Sequence, residues 1–495
     1  MTFVSSQLPL PDAFGMEYWE YNRVLPLATT QTHVRVAVCG DPDPDVIHVL
    51  EQEFGRPIEQ LPVSAEELTD AIRRAYVAAE TMVEVVNDLR ANGDFTGTHD
   101  QALADARDLA SQPPVIKYVN LLIKEAHDAR ASDIHLESTP LGLRARFRVD
   151  GVLTDAAAPP PQAQAAIVSR VKLLAELDIA ERRAPQDGSF RIRLEARELD
   201  IRVSTVPTLY GESVVLRLLD RGGQPVGLDE LGMPPTTLEQ FRRLIGRPTG
   251  IIIAAGPTGS GKTTTLYSAL ALRDTTAEKV ITVEDPVEYH LGGVTQIPVN
   301  RKAGMTFASA LRSVLRQDPD VMMVGEVRDP ETAEVAVQSA MTGHLVFSTL
   351  HTNDAPSAVT RLLDLQVAPY QIAATINGVL SQRLVRRICP HCRERYQPDP
   401  QVVSFVSGEP EVRRHLVRGR GCESCRGTGY SGRIGIFELL IVSEDVNRAI
   451  SAREPLARIR ELAEKEGMQP MRRDGWVKVQ AEITTVEEVL RVTAH

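Results

Sequence analysis

The sequence predicts an α/β protein built from several domains. The chain has 495 residues, which exceeds the roughly 100–200 residues of a single domain. After Thr249, short apolar runs alternate with helical patterns, and this order predicts β-α-β crossovers and a mostly parallel sheet. Hydrophobic residues form 43% of the chain and charged residues 24%. These values are typical of globular proteins and exclude wholesale disorder.

The net charge of −11 is concentrated at the N-terminus. Residues 1–110 carry 19 acidic and 7 basic side chains, a net charge of −12, so the remainder carries +1. The acidic part indicates either solubility or an interaction surface, and it argues against nonspecific nucleic-acid binding there. No apolar run approaches the ~18 residues of a membrane helix, and residues 1–20 do not resemble a secretory signal. We therefore expect a cytoplasmic protein that contacts membranes only through partners.

The composition and patterns divide the chain into successive segments. These are an acidic N-terminal module (1–90), a linker (91–114), an α+β unit (115–222), an α/β core (233–388), a cysteine-containing insert (389–425) and a helical C-terminal subdomain (426–495). The N-terminal module is expected to contain a helix at 64–90, where Ser64 and Glu67 form a capping box. In the α+β unit, Asp150-Gly151 predicts the turn of a hairpin.

The α/β core is defined by four apolar runs and the helical patterns between them. Buried strands are predicted at 251–255, 280–283, 321–324 and 345–348. Helices are predicted to begin near Lys262, Thr306, Pro330 and Ala355.

A glycine-rich segment joins the first of these strands to its helix. It matches the pattern G-x-x-x-x-G-K-[ST], and a further threonine follows: Gly256, Pro257, Thr258, Gly259, Ser260, Gly261, Lys262, Thr263 and Thr264. Glycines let backbone N–H groups surround phosphates at the positive end of the following helix. We expect Lys262 to reach the β- and γ-phosphates of ATP and the Thr263 hydroxyl to ligate Mg²⁺.

Two carboxylates stand at the ends of other core strands, where α/β proteins bind their ligands. Glu326 follows the strand 321–324 and is the first choice for an acid that orients water or holds Mg²⁺; Glu284 is the second. The neighbouring Glu288 and Asp329 could equally be solvated loop residues. His344 and His351 flank the last strand, and the pattern alone favours a structural role for each.

Four of the five cysteines form two Cys-x-x-Cys pairs, Cys389 with Cys392 and Cys422 with Cys425, separated by 29 residues. Two such pairs suit tetrahedral coordination of Zn²⁺, although the spacer is longer than the usual gap of about 15–20 residues. A redox dithiol and a single chaperone-type zinc repeat are the alternatives. Four protein ligands leave no position for a substrate, so the site is expected to be structural. Cys39 is expected to be a small buried hydrophobe.

From about Ser132 to its end, the chain resembles the type II/IV secretion ATPase family, and most closely its type II secretion branch. The segments that carry the resemblance are 131–137, 144–151, 185–188, 202–217, the Asp box at 281–288 and the His box at 342–354. The family's pilus retraction motors lack the cysteines, whereas its pilus assembly ATPases share nearly every motif. Before about Val115 the resemblance is weak.

The resemblance implies a RecA-like hexameric core and a PAS-like fold for the α+β unit. It implies that Arg202 and Arg217 reach the γ-phosphate when this unit closes on the core, and it favours catalytic roles for His344 and His351. It also implies a zinc insert that contacts inner-membrane machinery, and an N-terminal module that binds a cytoplasmic domain of a membrane protein.

The expected function is therefore that of a cytoplasmic hexameric ATPase, peripheral at the inner membrane, that powers type II secretion and pseudopilus assembly. Three alternatives stay open: a type IV pilus assembly ATPase, a nucleotide-gated adaptor that hardly hydrolyses, and a nucleic-acid translocase. The arginine-rich strand at 144–148 would suit a translocase. However, only 5% of residues are aromatic, which leaves few platforms for stacking bases.

Overall fold

The computed structural model consists of two compact units, Met1–Leu219 and Asp220–His495. The residues it describes are 14, 16–30, 32–65, 67–69, 71–72, 82–92, 104–194, 197–220, 226–408 and 415–494. Among these residues, no helix combines the length and the apolar character needed to cross a membrane.

The first unit begins with a three-stranded sheet that the sequence analysis did not predict. Its strands are β1 (Val24–Thr29), β2 (Val34–Val38) and β3 (Ile58–Pro62), accompanied by the helices α1 (Met16–Asn22) and α2 (Pro44–Phe54). β1 and β2 are antiparallel, whereas β2 and β3 are parallel and joined through α2. Trp19, Leu25 and Leu50 are fully buried in the core of this sheet. Short apolar runs such as 24–27 do not distinguish a buried strand from a helix, which explains the omission.

The helix predicted at 64–90 is confirmed at its beginning and near its end, and residues 73–81 lie outside the described part of the chain. The capping box is present: the Ser64 N–H donates to the Glu67 carboxylate at 3.0 Å, and the Glu67 N–H donates to Ser64 Oγ at 3.2 Å. Leu68 packs with the three-stranded sheet. Leu89, on α3 (Met82–Asn92), packs with the next core instead. The apolar pattern therefore serves two cores rather than one.

A six-stranded sheet and three helices complete the first unit. The helices are α4 (Ala104–Ala110), α5 (Pro113–Asp128) and α6 (Gln164–Leu174), and the strands are β4 (Ala131–Thr139), β5 (Gly142–Val149), β6 (Val152–Asp155), β7 (Gln186–Leu194), β8 (Arg197–Thr208) and β9 (Gly211–Asp220). The strand order is β6-β5-β4-β9-β8-β7. The predicted hairpin joins β5 to β6, and both turn residues have positive φ, 49° at Asp150 and 83° at Gly151.

The second unit contains a seven-stranded sheet in the order β12-β11-β13-β14-β10-β15-β18. Its strands are β10 (Gly250–Ala255), β11 (Val280–Glu284), β12 (Thr295–Pro298), β13 (Val321–Val324), β14 (Leu345–Leu350), β15 (Ile376–Ile388) and β18 (Tyr430–Ile441). The six strands from β12 to β15 in this order are parallel to one another, and β18 at the end of the sheet is antiparallel to β15. Every residue of β10, β13 and β14 is buried, as expected for a sheet covered on both faces. The four predicted core strands are confirmed.

Six α-helices accompany these strands in the described residues, and four of them begin near the predicted positions Lys262, Thr306, Pro330 and Ala355. The six helices are α7 (Pro235–Ile245), α8 (Lys262–Leu270), α9 (Phe307–Val314), α10 (Pro330–Met341), α11 (Ser357–Asp364) and α12 (Pro369–Thr375). Thr306 caps α9, and Asp329 caps α10 by accepting the Thr332 N–H at 2.8 Å. Asp329 is thus a helix cap rather than a free loop acid.

The segment after β15 leaves the sheet and then returns to it. It contains β16 (Arg393–Tyr396), α13 (Pro400–Ser407) and β17 (Leu416–Gly419), and the helices α14 (Glu444–Ser451), α15 (Leu456–Lys465), α16 (Met471–Gln480) and α17 (Val486–Thr493) follow β18. β18 pairs with β15 from Ile388↔Tyr430 to Gly378↔Ile441. The core therefore takes a strand from the segment predicted as a helical subdomain at 426–495. The segment boundaries themselves stay predictions.

Candidate functional site

The glycine-rich loop leaves the carboxyl end of β10 and enters α8. Gly259 and Gly261 have φ values of 76° and 88°. A residue with a side chain would be strained in this backbone conformation. A Cβ on Gly256 would lie 2.5 Å from the backbone oxygen of Gln382, so no side chain fits there. The Gly256 N–H donates to the Leu350 carbonyl oxygen at 3.2 Å. The loop therefore lies beside the end of β14, at the sheet edge where α/β proteins bind ligands.

Gln382, on β15, joins the loop to its helix. Its side-chain nitrogen donates to the Ser260 carbonyl oxygen, and its side-chain oxygen accepts the Thr265 hydroxyl, both at 2.6 Å. All three residues are buried. Sequence reasoning missed Gln382 because 117 residues separate it from Thr265 and no local pattern marks a glutamine on a strand.

Lys262, the first residue of α8, is 8% exposed. Its ammonium donates to the carbonyl oxygens of Gly256 and Pro257 at 2.8 and 2.9 Å. Burial lowers the pKa of Lys262 to about 8, against the opposing effect of the Glu326 charge. The neighbouring Ser260 hydroxyl is buried and has no hydrogen-bond partner among the described residues. Phosphate oxygens would satisfy both groups, and anionic acceptors bind an ammonium more strongly than carbonyl oxygens do.

Glu326 follows β13 and is also 8% exposed. Its carboxylate pairs with the Arg328 guanidinium and lies 3.7 Å from Nε2 of His351, the residue after β14. Burial and the nearby Lys262 charge lower the pKa of His351, which outweighs the effect of Glu326. Both effects favour the neutral form of the imidazole. Lys262, Glu326 and His351 meet at the carboxyl edge of the sheet.

Glu284, the last residue of β11, is held by three donors. Its Oε1 accepts the Thr282 hydroxyl at 2.6 Å and the Gln296 side-chain amide at 3.1 Å, and its Oε2 accepts the Tyr267 hydroxyl. The side chain is almost fully buried, with 2% of the residue exposed. Burial and the hydrogen bond to Glu284 raise the pKa of Tyr267, so the phenol remains a donor. Glu284 thus ties β11 to α8.

His344 lies at the amino end of β14, opposite the end that carries His351. It precedes β14 whereas His351 follows it, and six strand residues, or roughly 20 Å, separate the two. Its Nδ1 lies 2.8 Å from the Ser339 carbonyl oxygen, and its own carbonyl oxygen accepts the Gly250 N–H. The structure does not bring His344 to the glycine-rich loop of its own chain, and its catalytic role stays a prediction.

The two arginines of the predicted site belong to the first unit. Arg217, on β9, has a side chain that is 58% exposed and donates to the Asp133 carboxylate at 2.9 Å. Arg202, on β8, lies opposite Ser189 of β7 and is partly buried. Their contact with a γ-phosphate stays a prediction.

The four cysteines of the Cys-x-x-Cys pairs converge on one point. The Sγ–Sγ distances are 3.9 Å for Cys389–Cys422, 3.8 Å for Cys392–Cys425 and 3.7 Å for Cys422–Cys425, and all four sulfur atoms lie within 4.8 Å of one another. None is in a disulfide, whose sulfurs would be about 2.05 Å apart. Such a cluster could hold one metal ion.

Backbone N–H groups surround one of these sulfurs. Those of Cys422 and Gly429 each donate to the Cys425 Sγ at 3.2 Å. Burial alone would raise the pKa of Cys425, but these donors lower it to about 6. The deprotonated form that binds metals is thereby favoured.

A glycine-rich loop that ends in a buried lysine, with a carboxylate at the end of a neighbouring strand, is the arrangement of a P-loop nucleotide hydrolase. A family model described as "Type II/IV secretion system protein" matches residues 108–491. Because this match covers more than half of the chain, the chain belongs to that family, and it is a P-loop ATPase.

Similar proteins cover most of the chain. The type II secretion system protein E of Xanthomonas campestris is 43% identical over 489 residues, which span 98% of this chain and 86% of that protein. The type IV pilus assembly ATPase PilB of Myxococcus xanthus is 38% identical over 97% of this chain and 85% of its own length. The crystal structure of the pilus retraction motor PilT with bound ADP has a TM-score of 0.51 and 28% identity, covering 76% of this chain and 96% of that one.

Proposed function

We propose that this chain is the hexameric ATPase that powers type II secretion, coupling ATP hydrolysis to movement of an inner-membrane platform that assembles a pseudopilus. The observation that carries the ATPase chemistry is the meeting of Lys262, Glu326 and His351 beside the glycine-rich loop. The near full-length similarity to a type II secretion protein E supports the choice of branch. The protein would be cytoplasmic and peripheral at the membrane, held there through partners.

The roles of the site residues follow from their positions. Lys262 and backbone N–H groups of the loop from Thr258 to Thr264 bind the β- and γ-phosphates, and the Thr263 hydroxyl holds Mg²⁺, which neutralises charge on the phosphates when bound. Glu326 accepts a hydrogen bond from the attacking water and aligns it. His351, neutral and in contact with Glu326, orients that carboxylate. Glu284 fixes β11 against α8.

The two units would act together, the second containing a RecA-like core and the first containing a PAS-like fold that carries the two arginines. Arg202 and Arg217 would stabilise the γ-phosphate when the first unit closes, and hydrolysis would release them. The acidic N-terminal module (residues 1–90), with 15 acidic and 6 basic side chains, would dock to a cytoplasmic domain of a membrane protein. The segment boundaries at residues 90, 114, 222, 388 and 425 belong to this proposal.

We further propose that the four cysteines hold a structural Zn²⁺. A tetrahedral ion with Zn–S bonds of about 2.3 Å requires sulfur atoms about 3.8 Å apart. Three of the six separations, at 3.7–3.9 Å, lie on either side of this value, and all six are within 4.8 Å. The ion would close the cysteine-containing insert, which would contact the membrane platform.

A gene deletion in the source bacterium tests the choice of branch. Loss of this chain should abolish the export of secreted enzymes while surface pili still assemble, and the wild-type gene should restore export. A strain that loses pili but keeps export would show that the chain is a pilus assembly ATPase. If single-stranded DNA stimulates the ATPase activity of the purified chain, and high salt abolishes this stimulation, the result would instead support a nucleic-acid translocase.

A further inference from the structure

The loop that carries His351 is held by charged side chains from distant parts of the second unit. This loop, residues 351–356, follows β14 and leads into α11. Three consecutive residues in this loop each form a hydrogen bond with a side chain more than 25 residues away; they are Asn353, Asp354 and Ala355. The partners come from β15, α15 and β18.

Glu438, on β18, makes the most buried of these contacts. Its Oε1 accepts the Ala355 N–H at 2.9 Å, and its Oε2 accepts the Met471 N–H at 3.2 Å. The residue is 4% exposed. One carboxylate therefore ties the His351 loop to the beginning of α16. A buried N–H deprived of its acceptor is costly, so these two bonds fix the position of both segments.

Two arginines hold the rest of the loop. Arg460, on α15, donates to the Asp354 carboxylate at 2.7 Å, while the other Asp354 oxygen accepts the Ser357 N–H at 2.8 Å. Arg383, on β15, donates to the Asn353 side-chain oxygen at 3.1 Å. The loop thus has three anchors, of which Glu438 and Arg460 lie C-terminal to the cysteine cluster.

The other end of the loop is tied to the nucleotide site. The Leu350 carbonyl oxygen accepts the Gly256 N–H, and Nε2 of His351 lies 3.7 Å from the Glu326 carboxylate. A displacement of the loop would therefore move His351 relative to Glu326. Because catalysis depends on sub-ångström placement of the groups that align water, such a displacement should lower turnover more than nucleotide binding.

We infer that Glu438 is a positioning residue of the ATPase, which acts by fixing the loop that places His351 against Glu326. The inference rests on the role proposed above for His351. Glu438 does not contact the glycine-rich loop in the described structure, so it acts through the loop and not on the nucleotide.

The test compares two buried glutamates in the purified full-length chain. In Glu438→Gln one carboxylate oxygen becomes an NH₂ group, which cannot accept the N–H that faces it. We expect kcat for ATP to fall about 10-fold while KM stays within about 2-fold. The matched control is Glu488→Gln on α17: Glu488 is 2% exposed and accepts the Arg386 N–H at 3.0 Å, but it does not contact the loop. This control should lower the unfolding temperature and leave kcat within about 2-fold.

A double-mutant cycle with His351→Ala separates positioning from general destabilisation. If Glu438 acts through His351, each single change lowers kcat about 10-fold and the double variant loses about 10- to 20-fold rather than 100-fold. Additive losses overturn the inference, as does a parental kcat in folded Glu438→Gln or an equal loss in Glu488→Gln.

Two further results keep the inference distinct from the proposed function. If Glu438→Gln does not fold, Arg460→Gln decides, since this side chain is 35% exposed; it should lower kcat about 3-fold, and a parental kcat overturns the inference. A parental kcat in His351→Ala refutes the catalytic role of His351 and the inference together. A wild-type hexamer that hydrolyses no ATP refutes the proposed function itself.

Discussion

The glycine-rich loop and the cysteine cluster both lie at strand ends and both depend on glycines, yet their polar atoms are satisfied in different ways. The four sulfur atoms of the cluster lie within 4.8 Å of one another, so they all face one common centre enclosed by the cluster itself. In the loop, Lys262 donates to loop carbonyl oxygens and the Ser260 hydroxyl has no partner among the described residues. The difference separates a site that closes on itself from one that awaits a ligand from outside.

The largest effect is expected where the loop site meets its acid. Glu326→Gln should lower kcat for ATP by about 100- to 1000-fold with little change in KM, because a neutral amide aligns the attacking water poorly. The matched control is Glu284→Gln, whose three donors place it inside the fold. It should cost stability and lower kcat less. Steady-state ATP hydrolysis by the two purified variants measures both effects, and a greater kcat loss in Glu284→Gln would reverse the two assignments.

The features of this comparison that sequence could predict are the local ones. The glycine-rich loop and the cysteine pairs each occupy a few consecutive residues, and the chemistry of each fixes its spacing. The position of Glu326 could also be predicted, because the ends of neighbouring parallel strands lie at one edge of the sheet.

The features that sequence could not predict depend on long-range pairing. Gln382 and Glu438 reach the site from β15 and β18, which pair with each other across the cysteine segment. No local periodicity marks a polar residue on such a strand. The three strands of the N-terminal sheet were missed because short apolar runs such as 24–27 fit a buried strand and a buried helix equally well.

Removing one ligand of the proposed zinc should sharpen the contrast between the two sites. Cys392→Ser takes away one of the four proposed ligands, so we expect loss of bound zinc and a fall in unfolding temperature on the order of 10 °C, with ATP affinity little changed at 20 °C. The control is Cys39→Ser, since Cys39 packs against the core of the N-terminal sheet and is not one of the four clustered cysteines. Elemental analysis and thermal unfolding measure these effects. Wild-type protein that contains disulfides and no zinc would show that the cluster is redox-active instead.

A smaller effect is expected from pH at the open site. The pKa of Lys262 is lowered to about 8, and phosphate binding favours the charged ammonium. The group is charged below pH 8 and loses its proton as the pH rises, so ATP affinity should fall about 8-fold between pH 7.5 and 9. Lys262→Arg provides the control, since its guanidinium does not titrate in this range. Equilibrium binding of ATP at each pH measures the effect, and an equal loss in the arginine variant would assign it to another group.

The smallest effect is expected from His344, which tests whether both ends of β14 belong to the open site. His344 contacts the Ser339 carbonyl oxygen at the amino end of the strand, whereas His351 lies beside Glu326 at the other. His344→Ala should therefore cost about 1 kcal/mol of stability and change kcat less than 2-fold unless its predicted catalytic role is exercised in another copy, while His351→Ala lowers kcat about 10-fold. Because a strand of roughly 20 Å separates His344 from its own loop, a 10-fold loss in folded His344→Ala would mean that it serves the nucleotide site of another copy in the hexamer. Mixing His344→Ala with Lys262→Ala chains would then restore part of the activity if the two residues act on sites in different copies.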